Sequence, residues 1–451
     1  MTLFRRRIIY IIFFLVFFVT APLVLIWAQG YKFNWQQKTW QKTGVLFLES
    51  KPDTADIYLN GTLLPEKTTA RLKNLTPGEY HIEVKKQDYL PWTKDLHIFP
   101  GETAFAQYIR LFKTDPATKI LLKAKIKTFS NLKNNRLAFS ATSETDNKKE
   151  VFLFDAEDGS LKNVKINSTE IDSIILNESG NQALIKNTSN VWYWVDFSNQ
   201  QTLNISTWAS ENYKKIIFDP QNPLTLLGLS RFGIDKIIIP NQVILKIISG
   251  NNIVDFEIVS TGDVYYLKEK NNAVELNLFS SLNSNQETLI SSLPWSDNYQ
   301  IYPSPTNIIN LIDQKNQLLY IFDLQQKIFS TPKTIIPGVN FITWNQDQDS
   351  FLFGNAYEIW IWETAKKDDP KQLITRLGSK IKDVLWYPIP THIIYLTADE
   401  LVINELVMIN YRREITSFTK FKKADRLLIN SKGNNLYWFD STEGLFVSQI
   451  Q

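Results

Sequence analysis

Residues 424–451 read ADRLLINSKGNNLYWFDSTEGLFVSQIQ. Leu427, Leu428 and Ile429 form a short apolar run, and Ser431-Lys432-Gly433-Asn434 interrupts it with turn chemistry. Residues 436–439 make a second, aromatic run, followed by the polar step Ser441-Thr442-Glu443-Gly444 and a third run at 445–447. Short apolar and aromatic runs bounded by Gly, Asn and Ser predict three strands joined by tight turns. Three strands alone leave a face uncovered and are marginal in water. They need neighbours of the same kind.

The upstream chain supplies them. DSIILNESG, KKIIFDPQN, VDFEIVSTG, YQIYPSPTN, NFITWNQDQ and KDVLWYPIP repeat the first run, and NVWYWVDF, QLLYIFDL and EIWIWET repeat the aromatic one. Aligned on Ile174, Ile216, Phe256, Ile301, Ile342, Val384 and Leu427, the steps are 42, 40, 45, 41, 42 and 43 residues. A weaker copy starts near Ile126 and ends in EVFLFDAEDG. A four-stranded unit recurring every ~40–45 residues is the pattern of a β-propeller, whose sheets bury both faces against their neighbours. Eight copies are counted over residues 117–451, or seven if the first is degenerate. The last copy has three strands, and ATKILLKAK (117–125) precedes the first copy without a partner. It is therefore expected to be the fourth strand of the last blade.

At the other end stands MTLFRRRIIYIIFFLVFFVTAPLVLIWAQGYKFNW, residues 1–35. Residues 8–28 carry no charge, and as a helix at ~1.5 Å per residue they cover about 30 Å, the thickness of a bilayer's hydrocarbon core. A cleaved signal peptide has a shorter apolar core and small residues at its cleavage site. Here Ile26-Trp27-Ala28 puts a bulky residue there, so an uncleaved transmembrane helix is expected. Arg5, Arg6 and Arg7 flank it on the side predicted to be cytoplasmic, against the more dispersed Lys32, Lys38 and Lys42. Trp27, Tyr31 and Trp35 read as an interfacial aromatic belt. The expected topology is a single-pass cell-membrane protein. Residues 1–7 would be inside, 8–28 would span the bilayer, 29–43 would link, and the bulk would be extracytoplasmic.

Residues 44–113 alternate over short strands. ADIYLN ends in Asn60-Gly61, the pair favoured in a two-residue type I′ hairpin because both positions need positive φ. Pro52 and Pro77-Gly78 mark further turns, so a small β-sandwich is expected. The order SKPDTADIYLNG, then LKNLTPGEYHIEVKKQDYLPW, resembles the PEGA domain family, with Asp88 where a glycine usually precedes the tyrosine. That resemblance implies an all-β module of extracytoplasmic, often membrane-anchored proteins, used in binding or spacing. The turns NESGNQALI, STGDVYYL and NSKGNNLYWFD are similar to those of TolB-like and related WD-like propellers. This likeness implies fold and an expectation of protein or glycan binding, and transfers no functional residue.

Little points to catalysis. The chain of 451 residues has no cysteine, which excludes thiol chemistry. Its three histidines, His81, His97 and His392, are not at metal-ligand spacing, and no G-x-S-x-G elbow appears. DAEDGS (155–160) and NQDQDS (345–350) carry oxygens at loop positions, but neither has the full calcium-loop pattern. The net charge of +3, without a basic block beyond the N-terminus, speaks against nucleic acid. Trp192 with Trp194, and Trp360 with Trp362, are paired two apart and read more simply as core between blades than as a sugar platform. No catalytic residue, cofactor or metal is nominated. The expected function is a membrane-anchored scaffold whose propeller binds a protein or a cell-surface polymer such as a glycan. The alternatives are an envelope glycan hydrolase or lyase acting in the channel, and a sensor or assembly subunit.

Overall fold

The computed structural model describes residues 3–34, 38–142, 149–166, 170–209, 211–280, 286–302, 308–323, 332, 334–345, 347, 349–366, 370–407 and 413–451. The chain divides into two compact units. One gathers residues 1–117, 403–416 and 449–451, and the other residues 118–402 and 417–448.

The first unit begins with the helix Leu3–Ala28, which runs through Pro22. Its stretch from Arg7 to Ala28 has a mean hydropathy of 2.9 and is long and apolar enough to cross a membrane. Ile8, Phe13, Phe14, Phe18, Leu25 and Trp27 are all exposed, so the helix is apolar on every side and has no stripe directed at a protein core. Tyr31–Asn34 then pairs with Thr39–Lys42.

A two-sheet sandwich follows. Gly44–Lys51 lies between Ala70–Leu75, antiparallel, and Thr103–Arg110, parallel. The second sheet runs in the order Thr62–Lys67, Asp56–Leu59, Gly78–Lys85, Trp92–Ile98. Alternation fills the space between them: Leu46, Leu48, Ile57, Ile82, Val84 and Trp92 are buried in one cluster. Asn60 and Gly61 take φ of 50° and 79° between the paired Leu59 and Thr62, the backbone of a type I′ turn. Asp88 has φ 66°, so it adopts the left-handed conformation for which glycine is the usual choice. Within this unit Lys94 Nζ lies 2.8 Å from Glu405 Oε1, both side chains almost fully buried, while Trp92 Nε1 donates to Glu405 Oε2 at 3.2 Å. Glu414 is pushed up to about 7 by burial and by the Glu405 charge, with Lys94 opposing.

Among the described residues, the chain from 118 to 449 forms eight further four-stranded antiparallel sheets. Their first strands are Lys125–Phe129, Ile171–Leu176, Lys215–Asp219, Ile253–Ile258, Tyr299–Tyr302, Phe341–Trp344, Ile381–Trp386 and Arg426–Ile429. We number the sheets 1 to 8 in that order. In sheets 1 to 7 the four strands follow one another in the chain. In sheet 8 the fourth strand is Thr118–Lys123, which pairs antiparallel with Gly444–Gln449. Core clusters join successive sheets, such as Val151 with Ile185 across sheets 1 and 2, and Leu184 and Trp194 with Ile216 and Phe218 across sheets 2 and 3. Phe139 and Phe154 of sheet 1 pack with Phe439 and Tyr437 of sheet 8. The eight sheets thereby close on themselves, the architecture of a β-propeller.

The glycine-bearing turns owe their composition to the seams between sheets. Asn177 Oδ1 accepts from the N–H groups of Asn181 and Gln182, and Asn430 Oδ1 from those of Asn434 and Asn435, so each asparagine staples its turn. Gly180 and Gly433 have φ of 68° and 73°. A Cβ at Gly180 would lie 2.9 Å from Lys133 O, and one at Gly433 2.1 Å from Tyr387 Oη. The preceding sheet occupies the space a side chain would need.

Candidate functional site

The first strands are where the sheets meet. Two adjoining cavities, of about 350 and about 600 Å³, open there around Phe341–Trp344. Both are lined by Leu132, Lys133, Thr343 and Trp344. The smaller adds Leu385, Trp386 and Pro388, and the larger adds Tyr302, Phe341 and Val384. Volumes of roughly 300–1,000 Å³ with a mostly apolar and aromatic wall are typical of ligand pockets.

Each wall is fixed from behind. Trp386 Nε1 donates to Thr343 O at 3.1 Å, tying sheet 7 to sheet 6. Trp344 packs on Phe351 with ring centroids 4.7 Å apart, and its buried Nε1 has no hydrogen-bond partner among the described residues. Leu132 enters on a tight hairpin whose tip, Asn134-Asn135, takes positive φ at both residues between the bridged Lys133 and Arg136. That hairpin is held to the next sheet, since Asn131 Oδ1 accepts from Leu176 N–H, and Lys133 Nζ lies 2.5 Å from Glu178 Oε1.

Two carboxylates line the cavities, and they differ. Asp383 is buried: Oδ1 accepts from Arg426 Nη1 at 2.9 Å and Oδ2 from Leu427 N–H at 2.8 Å. Burial pushes its carboxyl up, with Arg426 and the N–H groups of Leu427 and Val384 opposing. Asp255 does the same work on sheet 4, accepting from Ile301 N–H at 2.9 Å and from Lys215 Nζ at 2.8 Å. Each staples its own first strand to that of the following sheet. Asp347 is exposed and makes no ion pair among the described residues. Lys380 and Lys382 are exposed on the larger cavity, and Lys382 Nζ donates to the carbonyls of Lys422 and Ala424.

The residues singled out by sequence fall elsewhere. Arg7 and Trp27 are exposed on the helix, and Tyr31 begins the two-stranded sheet. The side chains of Arg5 and Arg6, and all of Trp35, lie outside the described residues. Trp192 and Trp194 are buried among Tyr213, Ile216 and Phe218, and Trp362 packs on Phe351. DAEDGS is the turn after the third strand of sheet 1, with Asp155 Oδ1 accepting from Glu157 N–H. In NQDQDS, Asn345 Oδ1 accepts from Asp349 and Ser350 N–H, and residues 346 and 348 lie outside the description. No group of three or more His, Cys, Asp or Glu is placed to hold a metal among the described residues. Sequence reading passes over Trp344 and Trp386. The signal was in the repeat alignment: two residues after the aligned position, copies six and seven carry tryptophan, where others carry Leu176, Phe218, Ile258 and Ile429.

Comparison with known proteins agrees with this architecture. Residues 43–111 match the PEGA domain family. Among solved structures, the C-terminal WD40 domain of Sif2 superposes with a TM-score of 0.51 at 12% identity, covering 74% of this chain and 98% of that domain. Hsv2 of Kluyveromyces lactis gives 0.46 at 8% identity, over 65% of this chain and 98% of its own. A chain of the mitotic checkpoint complex gives 0.41 at 14%, over 75% and 92%. No curated protein matches the chain. The Sif2 likeness extends to the propeller fold and no further.

Proposed function

We propose that this chain is a membrane-anchored, extracytoplasmic binding scaffold. In this reading the helix Leu3–Ala28 spans the bilayer with its N-terminus inside. The PEGA domain and the propeller lie outside, and the propeller presents the Trp344–Trp386 cavities to a protein or cell-surface polymer. The carrying observation is the chemistry of the cavity wall. Its buried carboxylate, Asp383, is consumed by Arg426 and Leu427 N–H. Among the described residues Asp347 is therefore left without a second free acid at the site, whereas glycan hydrolysis commonly uses two. Aromatic rings half-open to solvent on a rigid sheet are, by contrast, the usual anchors of recognition.

The test uses full-length protein in lipid nanodiscs, assayed for capture of defined envelope proteins and purified envelope glycans. Saturable capture that weakens in Trp386→Ala is the expected result. Turnover of a glycan that disappears in Asp347→Asn would replace the scaffold by the enzyme. Topology is read separately, by protease treatment of intact cells. Digestion of the propeller is expected, and full protection would overturn the external placement.

A further inference from the structure

We infer that the two adjoining cavities form one directional docking groove for an extended peptide segment of a protein partner. The segment has an apolar or aromatic centre, a basic residue towards Asp347 and an acidic residue towards Lys380. This deepens the scaffold reading above and rests on it. The centre follows from the shared wall of Leu132, Thr343 and Trp344, continued by Trp386 and Leu385 on one side and Phe341 and Tyr302 on the other. Leu132 is 42% exposed, a large apolar side chain held at the cavity by its hairpin with nothing over it among the described residues.

The direction follows from charge. Four cations line the groove, and three are already answered: Lys133 by Glu178 at 2.5 Å, Arg426 by Asp383 at 2.9 Å, and Lys382 by Asp425 at 3.8 Å. Lys380, on the larger cavity, makes no ion pair among the described residues, and neither does Asp347, on the smaller. One unanswered charge stands on each cavity, negative on the smaller and positive on the larger, beside an apolar trough.

A peptide is favoured over a sugar because the groove pairs apolar surface with one unanswered charge of each sign, which peptide side chains can match, while several of its amides are already engaged. Asn131, Asn345 and Asn355 accept from backbone N–H groups through Oδ1. Asn134 and Asn135 donate through Nδ2 to Glu178 O and Glu157 Oε1. The aliphatic and aromatic part of the wall suits side-chain anchors.

The experiment selects a phage-displayed random dodecapeptide library on the full-length chain in nanodiscs. The selected peptides are then measured by fluorescence anisotropy. Enriched sequences are expected to carry an aromatic or aliphatic centre with one acid and one base on opposite sides. Trp344→Ala should weaken binding about 30-fold or more, as central aromatic anchors do. Leu132→Ala, on an exposed hairpin and safe for folding, should weaken it about fivefold. Lys380→Glu should weaken it about threefold. A peptide with its acid changed to lysine should recover that loss on Lys380→Glu alone, a readout that mere structural damage does not produce.

Selected peptides that bind all variants equally would overturn the groove while leaving the scaffold reading intact. A purified-glycan signal lost in Leu132→Ala, with no peptide selected, would assign the groove to sugars and overturn the peptide. Absence of binding to either class would overturn both.

Discussion

Lys215–Asp219 and Phe341–Trp344 hold the same place in sheets 3 and 6, each the first of four strands, and their surroundings are opposite. In sheet 3, Ile216, Ile217, Phe218 and Asp219 are all buried, whereas in sheet 6 Phe341, Ile342, Thr343 and Trp344 are all half-buried. The sealed strand has aromatics on both flanks: Trp192, Trp194 and Tyr213 reach Ile216 and Phe218, and Phe256 and Tyr266 close on Ile217. The open strand ends in a ring too large to be covered by what faces it. One repeat thus builds a packed seam on one side of the propeller and a lined cavity on another. The difference lies in the neighbours' side chains rather than in the backbone.

The hardest test of that contrast is truncation on each side. Phe256 is fully buried, so Phe256→Ala should cost about 3–5 kcal/mol, the range for an aromatic deleted from a close-packed core. Trp344→Ala, on a wall already open, should cost less than about half of that. Urea denaturation followed by near-ultraviolet circular dichroism compares the two. Equal losses would mean that the open strand carries the fold as much as the sealed one.

The seams are expected to be alike on both sides, which sharpens the comparison. Asp255 and Asp383 make the same staple on sheets 4 and 7. Asp255→Asn removes the charge facing half-buried Lys215, whose other acid, Glu257, is held up by burial, with Lys215 opposing. A loss of about 3 kcal/mol is expected at neutral pH, with Asp383→Asn of similar size, both measured as shifts in the denaturation midpoint. A much smaller loss at Asp383 would mean that the open side is loosely joined. At a turn, Gly433→Ala should cost about 2 kcal/mol, because its Cβ meets Tyr387 and its φ of 73° disfavours alanine. Gly378, with open space around it, is the control and should change by less than about 0.5 kcal/mol.

What the sequence made legible follows the reach of each signal. The long apolar helix, the Asn60-Gly61 turn and the four-stranded repeat are local or periodic patterns, and each has its counterpart in the structure. Asp88 in place of glycine kept its turn because aspartate tolerates positive φ. The role of Asp255 and Asp383 was hidden, because it depends on which acid of a strand faces the next sheet's backbone. The cavity was hidden for a related reason: Trp344 and Trp386 look like Trp192 and Trp194 until their neighbours are known.

Glu414 extends the contrast between answered and unanswered groups to the smaller unit. Lys94 is committed to Glu405 at 2.8 Å, leaving Glu414 half-buried beside a like charge and pushed up to about 7. A carboxyl whose folded value is raised binds its proton more readily folded than unfolded. Its contribution is fully present below about 4.5 and is lost as pH rises through about 7. The melting temperature of this unit is therefore expected to fall between pH 5 and 8, and Glu414→Gln should flatten that slope. An unchanged slope in Glu414→Gln would place the titration elsewhere.

The smallest effect expected is the most useful for separating binding from folding. Lys380 and Asp347 are exposed and make no ion pair among the described residues. Lys380→Glu and Asp347→Lys should each change stability by less than about 0.5 kcal/mol, as surface charges away from packed features do. Thermal unfolding of both variants checks this. Two cavity-rim charges that are silent in the fold have no structural reason for their placement, and any change they cause in ligand affinity is then attributable to the groove. If either variant melts several degrees lower, its charge holds a sheet in place, and the open side of the propeller is built more like the sealed side than its burial indicates.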